Sequence, residues 1–343
     1  LLKDENVWTM ELADGFYASA TGVFDSTKVY GYESKLMAQM EVFYQSGEHE
    51  VFVSDASMQW SNDGSIRYAD MKNGERIDLG RSPSYSGRAR VTSYEGMVCA
   101  SNNDAAKEHE KFSNPTIVHC PDGHTVLDFG QNIAGILAFT VKNAKAGQRI
   151  FLRFGELMKD GEFTQKNIQC ARGEFKTPLQ QVEYFCKEGR NEYKTTFAIF
   201  GYQYIEVEAD CPIDPTNFKA IAVYSDFETT FTFDSSNALL NQFVKNTLWS
   251  LKNNSADLPT DCPTRERHGR SGDAQIFVNT ASYMVNYAPF ALKYENDLCD
   301  WQDKSGNFPQ IAPEGGTDFY MRVMNGSVGW SDAGILIPYR LWK

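Results

Sequence analysis

The sequence predicts a multidomain protein in which antiparallel β-sandwich domains come first and a helical domain follows. Three observations predict this. Two-residue alternation of apolar and polar side chains runs through the first two thirds, the period changes to three or four residues near Ser235, and long Pro- and Gly-bearing loops separate the helical stretches. At 343 residues the chain exceeds one ordinary core, so two or three domains are expected. The divisions read as an N-terminal β-sandwich over 1–112, a second β-sandwich over 113–228 and a helical domain over 229–343.

The first hairpin is legible from its period. Leu36, Ala38, Met40, Val42 and Tyr44 alternate with polar residues, Gln45-Ser46-Gly47-Glu48 turns the chain, and Val51 and Val53 resume the alternation. Ala100–Asn114, rich in Asn, Lys and Glu, reads as a linker. Gly135–Val141 and Arg149–Phe154, joined by the turn Ala144-Lys145-Ala146-Gly147, read as a strand pair. Val182–Phe185, Thr195–Ile199 and Tyr202–Val207 read as three further strands. Short strands with turn signals every ten or so residues suit sandwiches.

After Asp234-Ser235-Ser236, which offers N-caps, Leu239/Leu240, Phe243/Val244, Thr247/Leu248 and Leu251 recur at helical spacing. Further helices are expected from Asp273 through Phe277, Ala281 and Met284, from Pro289 through Phe290, Tyr294, Leu298 and Trp301, and after Ser331-Asp332. Loops at 257–272 and 304–318 separate them.

Composition excludes several classes. A net charge of −12 argues against a nucleic-acid partner, since phosphate binding rests on Lys/Arg clusters. No apolar run approaches the roughly 18 residues of a membrane span. The cysteines at 99, 120, 170, 186, 211, 262 and 299 form no CxxC and no paired spacing. They read as scattered reduced thiols rather than a disulfide framework or zinc site, which favours a cytoplasmic setting. His119, Cys120 and His124 surround Pro121-Asp122-Gly123 and read first as a turn, so no metal and no other cofactor is expected. Aromatics are plentiful, with 23 Phe, 17 Tyr and 6 Trp; they suit sugar stacking, although ordinary core packing explains most of them. The chain opens on Leu1-Leu2-Lys3 and stops at Leu341-Trp342-Lys343 within an expected helix, so both ends read as cut and the N-terminus gives no compartment.

The segment richest in chemistry is the loop Asp261-Cys262-Pro263-Thr264-Arg265-Glu266-Arg267-His268-Gly269-Arg270-Ser271-Gly272-Asp273. It holds Asp261, Glu266 and Asp273 beside Arg265, Arg267 and Arg270. Carboxylates gathered in a polar loop next to cations suit acid–base chemistry on a neutral polar substrate. On spacing alone, Asp261 and Asp273 read equally as caps or turn residues, and Glu266 as the partner of Arg265 or Arg267. Trp330-Ser331-Asp332 adds an aromatic and a carboxylate at a helix start. An acid held near other carboxylates keeps its proton to higher pH, which suits a general acid acting on a glycosidic oxygen.

This loop resembles the active-site loop of bacterial α-L-rhamnosidases of glycoside hydrolase family 78. The likeness extends to Asp128-Phe129-Gly130-Gln131-Asn132-Ile133-Ala134-Gly135, to Phe200-Gly201-Tyr202-Gln203-Tyr204-Ile205-Glu206-Val207 and to Gly329-Trp330-Ser331-Asp332-Ala333. Ser65-Ile66-Arg67-Tyr68-Ala69-Asp70 is similar to part of the family's N-terminal accessory domain. The resemblance implies β-sandwich domains followed by the beginning of an (α/α)6 barrel, and inverting hydrolysis of rhamnose-containing glycosides or polysaccharides. It implies Glu266 as general acid, Asp261, Arg265 and Asp273 as binders of the sugar hydroxyls, and Trp330 and Asp332 as pocket lining. The chain departs from the family at Arg270, where Trp is usual, which puts one apolar pocket wall in doubt. The family's general base is a Glu further along the barrel, expected beyond Lys343, so weak or absent turnover is expected of these residues alone. The apolar faces of the few helices present are likewise expected to lack partners. A different (α/α)6-barrel glycosidase, or a non-catalytic carbohydrate-binding protein, are the alternatives; oligomeric state is not readable.

Overall fold

The computed structural model describes residues 6–22, 25–98, 100–101, 103–172, 175–315 and 322–343. Cys99 and residues 316–318 of the expected 304–318 loop lie outside them.

The first hairpin forms as its period predicts. Strands β1 (Gln39–Phe43) and β2 (His49–Val53) pair antiparallel, with Gln39 opposite Val53 and Phe43 opposite His49. The Tyr44 N–H donates to the Glu48 carbonyl at 2.9 Å across the turn, where Gly47 takes a φ of +89° that L side chains rarely adopt. Its apolar side chains Phe43, Val51, Phe52 and Val53 nevertheless stay exposed.

Most other strands belong to one ten-stranded sheet. Its members are β3 (Ile66–Asp70), β4 (Gly74–Asp78), β5 (Ala106–Ser113), β6 (Thr116–His119), β7 (Thr125–Ala144), β8 (Arg149–Gly155), β9 (Gln181–Phe185), β10 (Gly189–Lys194), β11 (Phe200–Ala209) and β12 (Phe218–Ser225). Hydrogen-bonded order runs β3-β4-β9-β8-β11-β7-β12-β5, with β6 and β10 also paired to β7. The long strand β7 pairs with β6 and β11 through its first half and with β10 and β12 through its second. Leu127, Phe129, Ile133, Leu137, Phe139 and Val141 along it enter a single core cluster with Phe154, Tyr184, Phe200 and Tyr202. Phe154 and Phe200 stack at 4.0 Å, and the buried Tyr202 hydroxyl donates to the Ile136 carbonyl at 2.8 Å, which satisfies the phenol inside this core.

Three sequence expectations need correction. Gly135–Val141 and Arg149–Phe154 are strands but not partners, because β11 lies between β7 and β8. Thr195–Ile199 is not a strand. The N–H groups of Thr196, Phe197 and Ala198 converge instead on one carboxylate oxygen of Glu75, at 2.9, 2.6 and 3.0 Å. The strand there is β10, one turn earlier. Finally, Ala100–Asn114 is no linker over most of its length, since Ala106–Ser113 is β5, antiparallel to β12. Its charges pair across the sheet: Lys107 with Asp226 at 2.5 Å and Glu108 with Lys194 at 2.6 Å. A charged edge strand looks like a linker when read by composition.

Four helices follow: α1 (Ala238–Asn253), α2 (Ser271–Met284), α3 (Ala288–Asp300) and α4 (Ala333–Trp342). The cap of α1 is Asn237 rather than Asp234, Ser235 or Ser236; its side-chain oxygen accepts from the N–H groups of Leu239 and Leu240 at 3.0 and 3.3 Å. Helix α1 rests on β7 and β12, while α2, α3 and α4 pack on one another. Met284, Phe290, Tyr294, Leu298 and Ile337 share a second core with Leu251. The expectation that these helices lack partners therefore fails for Met284 and Leu298 and holds for Leu240 and Phe243, which stay exposed. The architecture is sheet-rich and multidomain, with its long helices confined to the C-terminal third. Among the described residues, no helix is long and apolar enough to cross a membrane.

Candidate active site

The loop between α1 and α2 is closed by its own backbone. The Asp261 N–H donates to the His268 carbonyl at 3.0 Å, and Thr260 and Gly269 form an isolated antiparallel bridge. Arg267 sits at a φ of +58°, a left-handed conformation that costs a non-glycine residue about 1 kcal/mol or more. Gly269 is required: a Cβ there would lie 2.2 Å from the Ala312 carbonyl oxygen. Its own carbonyl accepts from the Ala312 N–H at 2.9 Å and from the buried Tyr294 hydroxyl at 2.8 Å, tying the loop to α3.

This closure brings Asp261 and Glu266 together. Glu266 is buried, and one of its carboxylate oxygens receives two nitrogens of Arg270, with Nε at 2.8 Å. Neither of the arginines adjacent in sequence is its main partner. Arg265 is exposed, and its guanidinium stands 3.7 Å from the other Glu266 oxygen. Arg267 is turned away by its left-handed backbone and donates to the carbonyls of Thr264 and Met71 and to Gln180 Oε1, at 3.1, 2.5 and 2.9 Å. Glu266 and Arg270 meet across a loop and not along a helix, so no periodicity in the sequence signals the true pair.

Asp261 accepts the His268 N–H at 3.1 Å. Burial, joined by the Glu266 charge and opposed by the Cys262 thiol that donates to it, pushes its carboxyl up to about 6. Burial works against the charge on Arg270, but the hydrogen bond and charge of Glu266 outweigh it and hold its pKa above the ordinary value. Burial lowers Arg267 to about 10, against the nearby negative charges that raise it.

His268, which the sequence did not single out, is buried, and neither ring nitrogen has a hydrogen-bond partner among the described residues. The ring fills the space over two glycines, since a Cβ at Gly22 or Gly315 would lie 2.4 or 2.2 Å from it. Burial, with the positive charges of Arg270 and Lys72, lowers its pKa to about 4. The N-terminal segment thus forms part of the site. The Gly22 N–H donates to the Glu266 carbonyl at 3.1 Å, and the fully buried Lys72 donates to the Gly22 carbonyl at 2.8 Å and pairs with Asp25 at 3.0 Å.

The remaining residues lie around the start of α2. Asp273 is exposed in its first turn and near enough for its charge to act on Arg270. The Trp330 indole packs on Gly272, where a Cβ would meet it at 2.7 Å, and 42% of the residue remains exposed. Asp332 braces its own turn by accepting the Gly329 N–H at 2.8 Å. A second cluster, outside the loop, joins His124 to Glu206 and Glu208. His119, Cys120 and His124 form the β6–β7 turn, as expected, with the Cys120 N–H donating to the His124 carbonyl at 2.9 Å. Arg153 and Arg149 already pair with Glu206 and Glu208, so this group is an ion-pair network.

Three family descriptions match in sequence order. They are the α-L-rhamnosidase N-terminal domain over residues 1–115, the bacterial α-L-rhamnosidase concanavalin-like domain over 118–224, and the bacterial α-L-rhamnosidase six-hairpin glycosidase domain over 228–343. The chain belongs to the bacterial α-L-rhamnosidase family. An α-L-rhamnosidase of Streptomyces avermitilis is 29% identical over 98% of the chain, and one of Alteromonas sp. (strain LOR) is 27% identical over all of it. The chain spans 33% and 38% of the length of these two rhamnosidases. Among solved structures, the S. avermitilis α-L-rhamnosidase complexed with L-rhamnose matches with a TM-score of 0.86 at 28% identity, covering 96% of this chain and 32% of that one. The α-L-rhamnosidase of Aspergillus terreus matches with a TM-score of 0.81 at 25% identity, covering 96% and 39%.

Proposed function

We propose that this protein is part of a glycoside hydrolase that releases terminal α-L-rhamnose from rhamnosylated glycosides or polysaccharides. The observation that carries the reading is that one loop holds the buried Glu266 close enough for its charge to act on the half-buried Asp261, in a chain whose three segments match rhamnosidase domains. On this reading Glu266 protonates the glycosidic oxygen. Asp261, Arg265 and Asp273 bind the sugar hydroxyls, with Trp330 and Asp332 lining the same pocket. The helices after residue 228 open an (α/α)6 barrel, and the segments 1–112 and 113–228 are accessory β-domains. Inversion needs a second carboxyl, roughly 6.5–9.5 Å from the first, to activate water. We assign no residue of this chain to that role.

The test is hydrolysis of a panel of aryl glycosides by the protein at its full native length, with the anomer of the released sugar followed by proton NMR. Release of β-L-rhamnose from the α-L-rhamnoside is expected. Turnover of another aryl glycoside with none of the rhamnoside would favour a barrel glycosidase for a different sugar. Arg270 is the specific observation behind that second reading, because it puts a guanidinium where the family usually has an apolar wall. Binding of rhamnosylated polysaccharide without any hydrolysis would instead mark a carbohydrate-binding protein.

A further inference from the structure

We propose that the free site stores its proton on Asp261, while Arg270 holds Glu266 as its ion-paired carboxylate. The inference rests on the reading of Glu266 as the acid and names the two residues that decide when it can act.

The geometry commits Arg270 to Glu266. Two of its nitrogens meet one carboxylate oxygen, and the two side chains are only 15% and 12% exposed, so little water screens the pair. Asp261 shares the loop but has no ion pair among the described residues. The other cations nearby are engaged elsewhere. Arg267 faces Thr264, Met71 and Gln180, Lys72 faces Gly22 and Asp25, and Arg265 is exposed on the far oxygen of Glu266. His268 gives Asp261 its backbone N–H, and its buried ring, with a pKa of about 4, is neutral where Asp261 ionises near 6. Burial is the largest influence on Asp261 and opposes its ionisation, as does the Glu266 charge, while the Cys262 thiol, the His268 N–H and the Arg270 charge favour it. Where two carboxyls share one committed cation, the one without the cation keeps the proton.

For Glu266 to protonate a glycosidic oxygen it must then receive that proton. An O–H bond breaks at Asp261 and one forms at Glu266, directly or through solvent, as Arg270 gives up its contact. Net charge is unchanged, and no other reactant is needed. Arg270 thus acts as a positioning residue that keeps the acid unloaded until a substrate displaces it.

The experiment is a carboxyl carbon-13 NMR titration of the chain labelled at Asp and Glu, in wild type and in Asp261→Asn, Glu266→Gln and Arg270→Met. An Asp resonance with a midpoint of about 6 is expected in wild type, absent from Asp261→Asn. In Arg270→Met, the Asp resonance that Asp261→Asn removes should move further upward, because the Arg270 charge that favours its ionisation is gone. The proposal is overturned if the elevated wild-type carboxyl is a Glu lost in Glu266→Gln, or if Asp261 titrates in the ordinary range. Should Arg270→Met not fold, the other two variants still locate the wild-type proton. The titration involves no sugar chemistry, so failure of the rhamnosidase reading would leave its result intact.

Discussion

Replacing His268 by leucine should raise stability at pH 4 by about 3 kcal/mol relative to the change seen at pH 7. The wild-type imidazole has a folded-state pKa of about 4 against an ordinary 6.5, so the unfolded chain binds a proton between those values that the folded protein refuses. The depressed group contributes stability above pH 6.5, and that contribution is lost as pH falls towards 4. Leucine removes the loss and also removes two buried nitrogens without partners. Asp261→Asn should do the reverse. With its pKa raised from 3.8 to about 6, Asp261 contributes stability below 3.8 that is lost as pH rises through 6. The variant should therefore gain about 3 kcal/mol at pH 7 and nothing at pH 3.8. Asparagine keeps the oxygen that accepts the His268 N–H. The two wild-type slopes oppose each other between pH 4 and 6, so the parent profile hides both. Urea denaturation across pH 4–7.5 separates them; variant profiles parallel to wild type would refute both assignments.

Glu266→Gln, in the protein at its full native length, should slow turnover of a rhamnoside with a poor leaving group by about 10²- to 10⁴-fold more than turnover of an activated aryl rhamnoside. A good leaving group departs without protonation, so the acid matters little for it. Equal losses on both substrates would make Glu266 a binding or structural residue. Melting temperature belongs in the same experiment, because the substitution also strips Arg270 of its carboxylate in a half-buried setting.

Local chemistry in the sequence predicted local structure well. The Gly47 turn, the starts of α2 and α3, and the closing of a polar loop around Asp261 and Glu266 all follow from period and from Pro and Gly placement. Pairing over distance was not legible. No periodicity says that β11 enters between β7 and β8, and nothing near Thr195 announces that Glu75 will gather its neighbours' N–H groups. The same reason hid the Gly22 contact with Glu266, which joins residues far apart in the chain. The Arg270 pairing was not legible either, because it forms across a loop in which Arg267 takes a positive φ that only the folded chain reveals.

The parallel pairing of β4 with β9 makes the first segment more than an attachment. Gly74–Asp78 supplies hydrogen bonds along Gln181–Phe185, with Val182 opposite Glu75 and Tyr184 opposite Ile77. A chain begun at residue 113 would leave β9 as an open edge rich in β-branched and aromatic residues, ready to recruit the same strand from a second molecule. It would also strip the Thr196–Ala198 backbone of its acceptor. The accessory segment is fastened to its neighbour by a shared sheet, so a cut at that border exposes a strand edge open to pairing with a second molecule.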